Sequence, residues 1–122
     1  MITAHYDHVG IIDGEIHNGA DDDGSGTVTV LELAQAYMDA VNDGNGPRRS
    51  VLLMTVVGEE KGLLGSSYYV ENPVLPLNQM VYCFNSDNAG YNDTSLISVI
   101  GLTRTTAEKN IFSANSYSKC PN

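Results

Sequence analysis

Basic side chains are scarce in this chain. Six Lys and Arg face fifteen Asp and Glu, for a formal charge of −9 and a pI near 4.4. Phosphate recognition needs clustered Lys and Arg, so no nucleic-acid partner is expected. No run of about 18 apolar residues occurs, so no membrane-spanning helix is expected either. The opening Met1-Ile2-Thr3-Ala4 has no basic stretch followed by a long apolar one, and no export signal is visible. Only two cysteines are present, Cys83 in an apolar stretch and Cys120 in a polar tail. Cys83 reads as a buried thiol, and a disulfide between the two stays open. Histidine is also sparse: His5, His8 and His17 are the only three, and none follows Glu60.

What is there describes a globular α/β domain. The 122 residues are 42% hydrophobic and 17% charged, enough for one domain with a core and too few for two. Met1 to His5 reads as a strand. Val9 to Asn18 carries the Asp13-Gly14 turn signal of a loop or small hairpin. Ser25 is placed as the N-cap of a helix over 26–42, with Val30, Leu33, Ala34, Tyr37 and Val41 as its apolar stripe. Gly44, Gly46 and Pro47 end it. The apolar stretch at 50–57 reads as a central parallel strand, 62–72 as a second helix stopped by Pro73, and 80–84 as a further strand. A last strand is expected at 96–100 and a helix over 105–116. The alternation predicts a mostly parallel twisted sheet with helices on both faces. Tyr68 and Tyr69 are expected to pack the second helix on the sheet, and Arg48-Arg49 to be solvated.

In such sheets functional groups gather beyond the carboxyl ends of the strands. His5, Glu59, Glu60 and Asp87 all stand at predicted strand ends, and Asp22 lies in a Gly-rich loop entering a helix. Two adjacent carboxylates repel each other and are seldom placed there without a cation or a proton to handle. Imidazole together with carboxylates suits zinc, whereas an all-oxygen set would suit magnesium or calcium. Asp7 is spaced to hydrogen-bond the other ring nitrogen of His5. His8 and His17 read as solvent-facing or supporting groups, with a substitute metal ligand as the lesser alternative, and Asp21 and Asp23 as loop carboxylates near the positive end of the helix.

Four segments, in this order, carry a resemblance: Ala4-His5-Tyr6-Asp7-His8-Val9-Gly10, Gly19-Ala20-Asp21-Asp22-Asp23-Gly24-Ser25-Gly26, Glu59-Glu60-Lys61-Gly62-Leu63-Leu64-Gly65-Ser66 and Asn85-Ser86-Asp87. Together they resemble the co-catalytic zinc aminopeptidase family of the bacterial leucyl aminopeptidase type, over residues 2–101. Relatives in that family include glutamate carboxypeptidase, the transferrin receptor and glutaminyl cyclase. The resemblance implies a zinc-exopeptidase fold, a peptide substrate and two zinc ions. His5 and Asp87 would hold one ion, Asp22 would bridge, and Glu60 would ligate the second. Glu59 would be the general base, and Asp7, which orients His5, is counted with it among the catalytic residues. A cis peptide is implied at Asp22-Asp23.

The chain departs from that pattern in two ways. Asp23 stands where the family often has Asn. The family completes its second zinc site with a late histidine, and here none follows Glu60. The expectation is therefore a single, incomplete peptidase domain over 1–122, truncated at both ends, with the second zinc site weakened. Exposed sheet edges would then favour self-association or segment exchange. Family members are often secreted or periplasmic, which leaves localisation open. One alternative keeps the fold but makes the chain a single-metal cyclase-like or non-catalytic relative. Another is a calcium-binding module, because Asp21-x-Asp23-x-Ser25-Gly26 followed by Glu32 matches an EF-hand loop.

Overall fold

β-Branched Ile2 and Thr3 favour extended backbone, and β1 (Ile2–His5) is flanked on both sides by parallel strands. The computed structural model describes residues 1–91 of the chain. Within them β2 (Gly10–Ile12) and β3 (Glu15–His17) form a hairpin. Helix α1 (Gly26–Asn42), strand β4 (Leu53–Val56), helix α2 (Leu64–Glu71) and strand β5 (Phe84–Asn85) follow. The expected strand at 96–100, the helix at 105–116 and Cys120 lie outside the described residues.

The three-stranded sheet has the order β4-β1-β5, all parallel. This is the expected α/β class. The central position differs, however: among the described residues it belongs to β1 and not to the apolar stretch at 50–57. Side chains alternate between faces, and Thr3 and Ala4 are both buried, so β1 is covered on both sides. β4 is half-buried with Thr55 exposed. Both partner strands are also shorter than expected. Phe84 and Leu53 already stand beside Ile2, so the residues before them have no β1 residue alongside.

Helix α1 packs on β1 and β4. Its bounds are the expected 26–42. Val30 is buried, Leu33, Ala34 and Tyr37 are half-buried, and Val41 at the far end is exposed. The helix closes in a Schellman turn, with Gly44 at φ 75°. Gly44 N–H donates to Val41 O at 3.0 Å and Asn45 N–H to Ala40 O at 2.8 Å. The hairpin turns at Asp13 (φ 52°) and Gly14 (φ 86°), the positive pair that a tight two-residue turn requires. Of the two tyrosines expected against the sheet, Tyr69 is buried and Tyr68 is exposed. In an eight-residue helix, neighbours a hundred degrees apart cannot both face inward. Arg48 and Arg49 are exposed as expected.

Candidate metal centre

Strand register places the polar groups. His5 pairs with Val56, so the Gly58–Leu63 turn begins beside it. Thr3 pairs with Asn85, which sets Asp87 level with His5 on the other side. The Glu59-Glu60 turn is pinned by its own backbone: Gly62 N–H and Leu63 N–H donate to Glu59 O at 2.9 and 3.0 Å, and Gly65 N–H to Val57 O at 2.9 Å. At Gly65 a Cβ would lie 2.5 Å from Val57 O, so the close approach of α2 to the end of β4 demands glycine.

The His5 side chain is 98% buried, and its Nε2 has no hydrogen-bond partner. That atom stands 3.1 Å from Asp22 Oδ1, 3.9 Å from Asp87 Oδ1 and 4.0 Å from Glu59 Oε2. The opposite ring nitrogen, Nδ1, is 3.0 Å from the Asp7 carbonyl oxygen. With Nδ1 donating to that carbonyl, the Nε2 lone pair points at the carboxylates. The tautomer is thus set by the Asp7 main chain and not by its carboxylate, which lies 3.6 Å away. The Asp7 carboxylate instead accepts the N–H of Glu59 at 3.2 Å and of Glu60 at 3.4 Å. Asp7 therefore ties the end of β1 to the glutamate turn.

The Ala20–Ser25 loop leaves helical geometry at Asp22 (φ −101°, ψ 94°) and Asp23 (φ −126°, ψ 43°), and the Asp22-Asp23 peptide is cis. Asp23 is fully buried. Its Oδ2 accepts the His5 N–H and its Oδ1 the Gly26 N–H, both at 3.0 Å. A Cβ at Gly26 would overlap that carboxylate and lie 2.5 Å from Ser86 O. Asp23, not Ser25, caps α1. The Ser25 hydroxyl donates to Asp21 O at 2.7 Å and accepts the Ala89 N–H at 2.9 Å. Asp21 Oδ1 accepts the N–H groups of Gly90 and Tyr91 at 2.6 and 2.9 Å, so Asp21 and Ser25 anchor the segment that follows Asp87.

The charges follow from these contacts. Burial opposes a charged His5, yet the Asp23 carboxylate, the hydrogen bond to the Asp7 carbonyl, and Glu59 and Asp87 raise its pKa above the ordinary value. Burial also works against ionised Asp7, but the N–H groups of Glu59 and Glu60 hold its carboxyl below the usual range. Burial pushes Asp23 up to about 6, against the His5 N–H and the nearby imidazole.

Two groups of ligand-type atoms come within 4.8 Å of one another: His5, Asp23 and Asp87, and His8, Asp22 and Glu60. In the first, both Asp23 oxygens already accept backbone N–H groups. Asp22 reaches His5 Nε2 while belonging to the second group, so it stands between them. All six residues singled out for the site converge on one end of the sheet. Asp21 and Asp23 do more than loop carboxylates would, and His8 stands against Glu60, as a supporting group can. The calcium-loop alternative fails on structure: a β-hairpin, not a helix, leads into Ala20–Ser25, and Glu32 is exposed on α1.

Imidazole and carboxylates beyond the carboxyl ends of a parallel sheet define an α/β protein with a hydrolase-type polar centre. The model for Peptidase family M28 matches residues 1–120, and the chain belongs to that family, which is generally zinc-dependent. It is 37% identical over 76 residues to the Vacuolar membrane protease of Pyricularia oryzae, covering 62% of this chain and 7% of the relative. It is 35% identical over 91 residues to the Vacuolar membrane protease of Pyrenophora tritici-repentis, covering 74% and 8%. Aminopeptidase YwaD of Bacillus subtilis is 38% identical over 71 residues, covering 58% and 13%. The chain thus spans 7–13% of the length of these relatives. No solved structure matches it.

Proposed function

We propose that this chain carries the metal and proton-transfer groups of a zinc-dependent aminopeptidase. The observation that carries the reading is the buried, unpartnered His5 Nε2, ringed by Asp22, Asp87 and Glu59. An imidazole lone pair aimed at carboxylates is repulsive unless a cation or proton lies between them. The residues present fit zinc: nitrogen and oxygen donors, with the second ring nitrogen of His5 already tied down. His5 and Asp87 would hold one ion, Asp22 would bridge, and Glu60 would serve the other. Bound by these residues, a divalent ion would supply Lewis-acid polarisation of a carbonyl and a more acidic water.

Glu59 is the general base. It sits at the edge of the centre, a quarter exposed, with Oε2 4.0 Å from His5 Nε2. Its carboxylate takes the proton of the attacking water and passes it to the departing amine. Asp7 keeps Glu59 in place by binding its N–H. The peptide class of substrate, and removal of N-terminal residues, are inferred from the family and from the aminopeptidase among the relatives.

The test is zinc-dependent release from leucyl substrates by the full chain, run beside glutaminyl substrates. Hydrolysis should fall by about 10²–10⁴ in Glu59→Gln, the usual range for a lost general base, with zinc content unchanged. Hydrolysis that survives Glu59→Gln or complete metal removal contradicts the reading. Cyclisation of glutaminyl substrates without leucyl hydrolysis would move the chain to the cyclase-like alternative.

A further inference from the structure

We propose that Asp21 is a positioning residue for the metal centre. Its carboxylate ties the segment that follows Asp87 to the loop that carries Asp22, and so sets how those two carboxylates meet at His5. The inference rests on the reading of Asp22 and Asp87 as ligands and adds what holds them in place.

Asp87 is suspended between two attachments. Behind it, Ser86 N–H donates to Thr3 O at 2.9 Å. Ahead of it, Asn88 turns the chain at φ 52°, a left-handed conformation that asparagine tolerates, and its Nδ2 donates to Asp87 Oδ1 at 2.6 Å. Three consecutive N–H groups then meet two side chains of one loop. Ala89 N–H is taken by the Ser25 hydroxyl at 2.9 Å, and Gly90 and Tyr91 N–H by Asp21 Oδ1 at 2.6 and 2.9 Å. Ala89, Gly90 and Tyr91 are exposed, so hydrogen bonds rather than burial fix them. N–H groups bound to a carboxylate make charge-assisted bonds, roughly twice as strong as neutral ones.

The fit is close. A Cβ at Gly90 would lie 2.9 Å from Ser25 Cβ and 3.0 Å from Asp21 Oδ1. The Ser25 hydroxyl donates to Asp21 O at 2.7 Å, which keeps the two acceptors side by side. Asp21 is also the neighbour of Asp22, whose Oδ1 stands 3.1 Å from His5 Nε2, with Asp87 Oδ1 3.9 Å from the same atom. One clamp therefore joins the two carboxylates that converge on one imidazole. Without it, the chain beyond Asp87 loses the three bonds described, and Asp87 is free to drift from Asp22 and His5.

Zinc titration of the ¹⁵N-histidine-labelled full chain, followed at His5 Nε2, reads the affinity of this centre. Asp21→Ala should weaken zinc at His5 by about 10–100-fold, the range for losing a group that orients a ligand. Asp21→Asn keeps an oxygen acceptor for Gly90 and Tyr91 and should restore most of that affinity. Ser25→Ala, which removes the acceptor of Ala89, should weaken zinc in the same direction by less. Urea unfolding of each metal-free variant separates folding from binding. Parent affinity at His5 in a folded Asp21→Ala chain overturns the role of Asp21, and so does an Asp21→Asn chain as weak as Asp21→Ala. If Asp21→Ala does not fold, Ser25→Ala carries the test, and parent affinity there overturns the clamp. If the parent itself shows no zinc response at His5, the metal-centre reading fails and the clamp's role fails with it.

Discussion

Three consecutive aspartates have three different partners. Asp21 holds the backbone after Asp87, Asp22 faces His5 Nε2, and Asp23 is buried against the N–H groups of His5 and Gly26. As a string, Asp21-Asp22-Asp23 does not separate these tasks, because each is set by where the loop turns. The motif resemblance singled out Asp22 and left its neighbours as loop carboxylates. For His8 the sequence leaves solvent-facing, supporting and ligand roles open, because its meeting with Glu60 depends on how the chain folds at Gly19. Asp23 makes a titration prediction. Its folded pKa, about 6, lies above the ordinary 3.8, so the fold favours the protonated form. Its contribution is fully present below 3.8 and is lost as pH rises through about 6. The metal-free chain should therefore melt at lower temperature at pH 7 than at pH 4.5, and Asp23→Asn should flatten that slope. Asp7 has the opposite sign, since its lowered pKa adds stability that is lost only as pH falls below 3.8. A slope unchanged by Asp23→Asn would show that the carboxyl titrates normally.

Elements bring these residues together through strand register. A parallel pairing of Ile2 with both Leu53 and Phe84 starts three strands at one level, so the chain leaving Asn85 runs on beside the end of β1. His5, the glutamate turn and Asp87 are then neighbours without any contact encoded between them. The helix α1 bounds, the hairpin turn and the α/β alternation were legible, because periodicity and turn residues are local signals. Strand lengths and the identity of the central strand were not, since they depend on what each strand finds alongside. Two glycines make the arrangement brittle. Gly26→Ala would press on Asp23 and Ser86, and Gly65→Ala on the Val57 backbone. Each should destabilise the chain by about 1–3 kcal/mol in urea unfolding, the range for overpacking. Gly26→Ala should also weaken zinc binding, because Asp23 holds the His5 backbone. Unfolding midpoints equal to the parent's would contradict these close approaches.

At the scale of the whole molecule, an acidic chain concentrates Asp7, Asp22, Glu59, Glu60 and Asp87 at one end of a small sheet. Among the described residues only Ala4, Val30 and Tyr69 form a buried apolar core, so repulsion at that end weighs heavily on stability. A bound cation should relieve it. At free zinc one hundred times Kd, linkage adds about 2.7 kcal/mol, enough to raise the melting temperature by roughly 10 °C in a chain of this size. A chelator should reverse the shift, and no shift would mean that zinc does not select the folded state. The most direct test is an anomalous difference map at the zinc edge from crystals of the zinc-loaded full chain. A peak is predicted about 2.0–2.1 Å from His5 Nε2, with carboxylate oxygens of Asp22 and Asp87 at about 2.0–2.2 Å. Zinc bound only elsewhere, with His5 Nε2 uncoordinated, would contradict it.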